Sequence, residues 1–313
     1  MIKNFFAETM IDGDVWHKLR QSKENFMPLI KYIYETNKLK FNEASVFHEP
    51  PYTVFRVENT IAKIYNPPEA KIWDEPEYDT ELKGLKFCKN SGVLTPDIIC
   101  NGIVYDSIYS FPYIVMNYID GIDAEKAIPT FNHSEKAEFA LKLKELTRKI
   151  NCAADIKIMR CDDPARINHG LWNHMPEPFK EERKRYIENA DLGEFVFNHG
   201  DLNDSNIIID KQGRLNLIDF SESVIAPAIY DWSPILYCLG YAPDMMEIYF
   251  GDYKNDDFYE ALAVSYLLHF WGGVHIEGIA KDIGTDITSI TSIDALKNML
   301  IKWLDIKQIG GMQ

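Results

Sequence analysis

Apolar residues Phe26, Leu29, Ile30, Ile33 and Tyr34 recur three and four positions apart, so residues 22–36 read as an amphipathic helix. Pro28 falls near its start, where a missing N–H costs little. The pattern then shortens to two strands, 53–57 and 60–65, joined at Glu58-Asn59. The next helix carries Glu81, Leu82, Leu85 and Phe87 and runs out at Ser91-Gly92-Val93-Leu94-Thr95-Pro96. Phe111-Pro112-Tyr113-Ile114-Val115-Met116 reads as a strand, with residues 117–121 as its exit. From residue 132 the helical period returns. Phe139, Leu143, Leu146 and Ile150 form one stripe, and Asn132 with Glu135 fits a capping box. Residues 177–188 are charge-rich and read as a solvated helix leading to the short apolar run Phe195-Val196-Phe197. The runs 207–209 and 215–218 flank Lys211-Gln212-Gly213-Arg214, a turn between two short strands. Residues 257–272, with Phe258, Leu262, Tyr266 and Phe270, read as one buried helix, and 294–304 as the last one.

Composition narrows the class. The 313 residues suffice for two cores, and 46% hydrophobic with 13% aromatic residues excludes a disordered chain. A formal charge of −15 argues against nucleic acid and anionic membranes as partners. No stretch approaches the ~20 apolar residues of a membrane span. The start meets Glu8 and Asp12 early and has no sustained apolar region, unlike a secretory leader. The five cysteines are odd in number and form no C-x-x-C pair, so free thiols in a reducing cytoplasm are expected. Cys152, Cys161, His169 and His174 have no spacing that matches a closed zinc site.

The candidate chemistry concentrates in His199-Gly200-Asp201-Leu202-Asn203-Asp204-Ser205-Asn206 and in Leu217-Ile218-Asp219-Phe220. Asp201 and Asn206 lie on a loop, and Asp219 leaves the far end of the hairpin. Two carboxylates and a carboxamide are hard oxygen donors, the kind that hold Mg²⁺ beside substrate phosphates. A carboxylate not consumed by metal can orient a hydroxyl and accept its proton. Together these are the parts of phosphoryl transfer. A tight polar turn between core strands is the plain alternative.

The spacing H-G-D-x-x-x-x-N with a later I-D-F resembles the catalytic and metal segments of the kinase-like fold. The Gly after the His resembles the aminoglycoside phosphotransferase and choline kinase family rather than protein kinases. The resemblance runs from about Thr53 to Trp232. It implies an α+β, two-lobed architecture, with a small mixed β-sheet lobe over 1–118 and a larger, mainly helical lobe over 119–313. It also implies ATP, or GTP, with Mg²⁺, and a small-molecule hydroxyl as acceptor. By the resemblance Asp201 is the catalytic base or acceptor-orienting group, and Asn206 and Asp219 hold the metal. His199 is a scaffold for the loop.

Lys63, inside the apolar run Ile61-Ala62-Lys63-Ile64-Tyr65, resembles the strand lysine that contacts nucleotide phosphates. An ion pair would hold it in place, with Glu81 as partner and Glu77 as the rival; a lysine pointing to water is the other reading. Asn117 and Tyr118 occupy the place of the hinge whose backbone meets the adenine. Pro227-Ala228-Ile229-Tyr230-Asp231 resembles the segment whose Asp supports the catalytic loop, although Asp231 also fits a helix N-cap. The glycine-rich phosphate loop of the fold is absent, and residues 42–52 stand in its place.

Protein kinases place a Lys where Asn203 stands here, continue Asp-Phe with Gly rather than Ser221, and carry a later Ala-Pro-Glu that is missing. A nucleotide-binding module without catalysis is the alternative from another class. For the acceptor, Asp204, Glu222, Asp252, Asp256 and Asp257 suggest an acidic lining that would favour an amine-bearing molecule.

Overall fold

The computed structural model describes residues 5–6, 13–46, 53–70 and 76–310. The chain divides into two compact units, the first within Met1–Leu82 and Thr95–Asp120, the second comprising Lys83–Leu94 and Gly121–Gln313.

In the first unit helices α1 (Gly13–Leu19) and α2 (Lys23–Thr36) accompany strands β1 (Ala44–Val46), β2 (Val54–Val57), β3 (Thr60–Ile64), β4 (Ile98–Tyr105) and β5 (Ser110–Asn117). The strands form one antiparallel sheet in the order β1-β2-β3-β5-β4. Its core joins Trp16 and Phe26 from the helices to Phe55, Ala62, Ile64 and Phe111 from the sheet. Because strand side chains alternate between faces, burying Ala62 and Ile64 against this core sends Lys63 to the opposite face. Pro28 lies inside α2 as its sixth residue, beyond the first turn expected for it. There it removes the bond its N–H would give to Glu24.

Helix α3 (Glu77–Asn90) crosses the division, residues 77–82 counting with the first unit and 83–90 with the second. In the second unit Gly84 packs so closely that a Cβ there would come 2.8 Å from Phe220 Cβ. Phe87 packs on Phe197, ring centroids 4.5 Å apart.

The second unit continues with β6 (Gly121–Asp123), α4 (Ala124–Ala127), α5 (His133–Ile150), α6 (Pro164–Ile167) and α7 (Glu177–Asn189). Then come β7 (Phe195–Asn198), β8 (Ile207–Asp210), β9 (Leu215–Leu217) and β10 (Val224–Pro227). The remainder is helical: α8 (Trp232–Cys238), α9 (Pro243–Phe250), α10 (Asp256–Leu268), α11 (Gly272–Asp282) and α12 (Ile293–Gly310). The strands pair as β6-β8-β9 and as β10-β7. None of the helices among the described residues is long and apolar enough to cross a membrane.

Two expected helices differ from those observed. Residues 257–272 do not form one helix, because the chain turns extended at His269 (φ −64°, ψ 135°) and a new helix begins at Gly272. The apolar periodicity runs on through this break, so the pattern alone could not reveal it. The last helix begins at Ile293 and reaches Gly310, well past residue 304.

Helix α5 begins with the capping box read from the sequence. Asn132 Oδ1 accepts from the Glu135 N–H at 3.1 Å, and Glu135 Oε2 accepts from the Asn132 N–H at 2.8 Å. Asn132→Ala should therefore cost about 1 kcal/mol and lower the melting temperature, whereas Glu135→Gln keeps the acceptor and should be nearly neutral. Thermal denaturation of the two variants checks this.

Candidate active site

The segment 199–206 connects β7 to β8 and is fixed by partners from four other places in the second unit. The carboxylate of Asp231, 2% exposed, accepts the N–H of His199 at 2.8 Å and that of Gly200 at 3.0 Å. Although Asp231 precedes α8, its side chain makes no capping bond there, which separates the two readings of this residue. His269 Nε2 lies 3.0 Å from the Gly200 carbonyl, and the Cys238 thiol donates to the Leu202 carbonyl at 3.3 Å. His199 Nε2 reaches the carbonyl of Ile218 at 3.0 Å, tying the loop to the residue before Asp219. Gly200 has φ +91°, and a Cβ there would sit 1.9 Å from the Glu222 carbonyl oxygen. Only glycine fits.

Asp201 is the half-buried centre of this loop. Its Oδ1 accepts from Asn203 Nδ2 at 2.8 Å and its Oδ2 from Asn206 Nδ2 at 2.9 Å. Burial raises its pKa and the Asp219 charge raises it further, while the two amides pull it back. Asn206 spends its amide nitrogen on Asp201, bonding the carbonyl of that residue as well at 2.8 Å, which leaves its amide oxygen to offer a cation. Asp219 adopts φ +60°, a left-handed backbone rare outside glycine, and its Oδ1 accepts from Ser221 Oγ at 2.7 Å. Two carboxylates whose charges oppose one another, with a spare amide oxygen, suit Mg²⁺, which relieves the repulsion and takes few protein ligands. Among the described residues no cluster of three or more His, Cys, Asp and Glu forms a metal cage.

In the first unit Lys63 Nζ lies 2.6 Å from Glu81 Oε2, and Tyr65 OH donates to the same carboxylate oxygen. Glu77, the rival partner, accepts from Asn66 Nδ2 at 3.2 Å. Both members of the Lys63–Glu81 pair are largely buried, so the tyrosine bond helps replace the water that Glu81 has lost. Asn117 is the last residue of β5, and its N–H donates to the Asp97 carbonyl at 3.0 Å. The Tyr118 N–H donates to the Asn59 carbonyl at 2.8 Å, with the Arg56 guanidinium 3.7 Å from its ring centroid. Neither N–H is left for a base. The next residue, Ile119, has an N–H without a partner among the described residues. Within the expected phosphate loop, residues 47–52 lie outside the described residues.

Of the expected acidic lining, Asp252 precedes α10, and Asp256 and Asp257 open it. Asp204 and Glu222 remain in or beside the loop segments. Glu125, on α4, joins them, since its charge helps raise the Asp204 pKa beyond the effect of burial. Sequence reading missed Glu125 and His269. The first had no signal, and the second had only the Gly272-Gly273 pair just beyond it.

A family model described as "Phosphotransferase enzyme family" matches residues 51–264. An aminoglycoside 3'-phosphotransferase of Acinetobacter baumannii is 33% identical over 88 residues, a match spanning 28% of this chain and 30% of that protein's length. Among solved structures, the choline kinase LicA from Streptococcus pneumoniae superposes with a TM-score of 0.56 at 18% identity, covering 88% of this chain and 98% of its own. APH(2")-IIia, solved with GDP and kanamycin, gives 0.59 at 14% identity over 88% and 99%. APH(2")-IIa, solved with streptomycin and ATP, gives 0.55 at 15% over 86% and 98%. At these identities the likeness to the solved structures is one of fold.

Asp231 generates a test that needs no substrate. Asp231→Asn replaces one carboxylate oxygen with an N–H₂ facing a backbone N–H donor. One amide proton in the buried loop is left unpaired, at a cost of about 1–3 kcal/mol. A melting temperature equal to wild type would show that the two bonds do not hold the loop.

Proposed function

We propose that this chain, which belongs to the phosphotransferase enzyme family, transfers the γ-phosphoryl group of ATP to a hydroxyl of a small molecule. The observation that carries the reading is the loop around Asp201, whose carboxylate is aimed by two amides and whose neighbours Asn206 and Asp219 present oxygens suited to Mg²⁺. The binding module without catalysis would not need a carboxylate oriented in this way.

Asp201 orients the acceptor hydroxyl and takes its proton as the oxygen attacks phosphorus. Burial raises its pKa, which makes it a better proton acceptor than an ordinary aspartate. Asn206 Oδ1 and the Asp219 carboxylate are the ligands offered to Mg²⁺. Held by these two residues, Mg²⁺ would supply positive charge against the nucleotide phosphates. Lys63, held by Glu81, is the cation for the nucleotide phosphates. For the adenine the Ile119 N–H replaces Asn117 and Tyr118 as the donor, since theirs are spent within the sheet and its turns. Solved structures of similar fold were determined with GDP as well as ATP, so GTP is a second candidate donor.

For the acceptor, the named relatives point to amine-bearing compounds: kanamycin, streptomycin and choline. In this chain the support is the opposition of Asp204 and Glu125, two carboxylates that an ammonium would relieve. A neutral sugar is the second reading.

Asp201→Asn keeps the shape but removes the basicity, so turnover on a confirmed acceptor should fall by ~10²–10⁴-fold with nucleotide affinity nearly intact. Asp219→Ala should abolish the Mg²⁺ dependence of nucleotide binding, followed by titration with and without the metal. An Asp201→Asn variant at wild-type rate would overturn the assignment, and nucleotide affinity without any turnover in the wild type would favour the binding module.

The acceptor class is tested by competition. ADP release on the best neutral alcohol, measured with amine-bearing analogues at low and high salt, should show the amines turning over or inhibiting, more strongly at low salt. Amines that do neither would redirect the search to sugars.

A further inference from the structure

The peptide group between Gly200 and Asp201 is held at both of its polar ends by histidines. Its carbonyl faces His269 Nε2 at 3.0 Å, and its N–H points to His199 Nδ1 at 3.4 Å. The proton on His269 can be placed by its other bond. The Trp271 N–H donates to His269 Nδ1 at 3.2 Å, so Nδ1 is an acceptor and Nε2 carries the hydrogen given to Gly200. Full burial drives the imidazole pKa well below its usual value, which keeps the ring in this neutral form.

The ring is fixed as firmly as its hydrogen bonds. Tyr230 stacks on it with centroids 4.9 Å apart and planes 27° from parallel, and the His275 ring centroid lies 5.1 Å away. Tyr230 OH in turn accepts the Phe270 N–H at 2.9 Å, anchoring the turn that follows α10. The two peptide groups before Gly200–Asp201 already give their N–H to Asp231. His269 closes the series at the carbonyl end: without it, the peptide adjoining Asp201 keeps only the 3.4 Å bond from its N–H to His199, beside a glycine whose backbone bonds are soft.

We propose that His269 is a positioning residue for the transfer reaction, its Nε2–H setting the plane of the Gly200–Asp201 peptide and through it the direction in which the Asp201 carboxylate meets the acceptor. The proposal rests on the reading of Asp201 given above. It goes beyond core packing, because the hydrogen bond and not the ring volume is what the loop requires.

The test compares His269→Gln, His269→Asn and His269→Phe in the full chain. The Gln side-chain nitrogen extends about as far as imidazole Nε2, whereas the Asn nitrogen reaches only the Nδ1 position and falls short of Gly200. Asn and Phe should lower kcat by ~10–100-fold, the scale of a small misplacement of a reacting group, with the nucleotide KM nearly unchanged. Gln should recover most of the rate. Backbone amides of residues 199–206 should exchange with deuterium faster in Asn and Phe than in wild type or Gln. If Phe does not fold, the Gln–Asn pair decides. Equal kcat and equal exchange in those two, or a folded Phe variant at wild-type kcat, would overturn the proposal. If wild type phosphorylates no hydroxyl acceptor, the phosphotransfer reading fails. Exchange then decides the loop-holding role alone: faster exchange in Asn than in Gln supports it, and equal rates overturn it.

Discussion

Asp231 lies almost wholly out of water, where a carboxylate is tolerable only if donors replace the hydration it has lost. The backbone N–H groups of His199 and Gly200 supply that replacement, and in doing so they are held themselves. Burial still raises the pKa of Asp231, so the two bonds offset only part of the desolvation. The arrangement fixes a backbone that must bend through a left-handed glycine, with Glu222 too close for any side chain. Asp201, Asn203 and Asn206 then form their own network on that base.

A second buried charge plays a comparable part in the first unit. Lys63 stands on the face of the sheet away from the aromatic core, and Glu81 with Tyr65 fixes its ammonium. In both units a polar side chain is thus oriented by a neighbour that is less exposed than itself. Rotamer freedom is given up during folding and need not be lost again when a ligand arrives.

Much of this was readable from residue order. The hairpin 207–217, the capping box at Asn132 and the helix 133–150 follow from local periods and turn chemistry, which act between near neighbours. The pairing of Lys63 with Glu81 rather than Glu77 depends on helix register, which the sequence left open. What escaped is non-local. The break after Leu268 leaves no mark in the apolar pattern, because residues on both sides of it are buried. Asn117 and Tyr118 stand where a strand ends, as expected, but the destination of their N–H groups depends on Asp97 and Asn59, which are distant in sequence. The grouping of residues 83–94 with the second unit reflects packing of Gly84 and Phe87 on Phe220 and Phe197, contacts that no periodicity encodes.

The contact between Gly200 and His269 spans 69 positions of sequence. While the chain is being made, the loop around Asp201 emerges well before the residue that completes its support. At ordinary rates of synthesis that interval lasts roughly 3 to 14 seconds, far longer than local collapse requires. During it the segment can hold its internal amide bonds but not its final backbone plane. The order of translation therefore separates two events that the finished molecule presents together: the appearance of the Asp201 carboxylate, and the moment at which it acquires a direction.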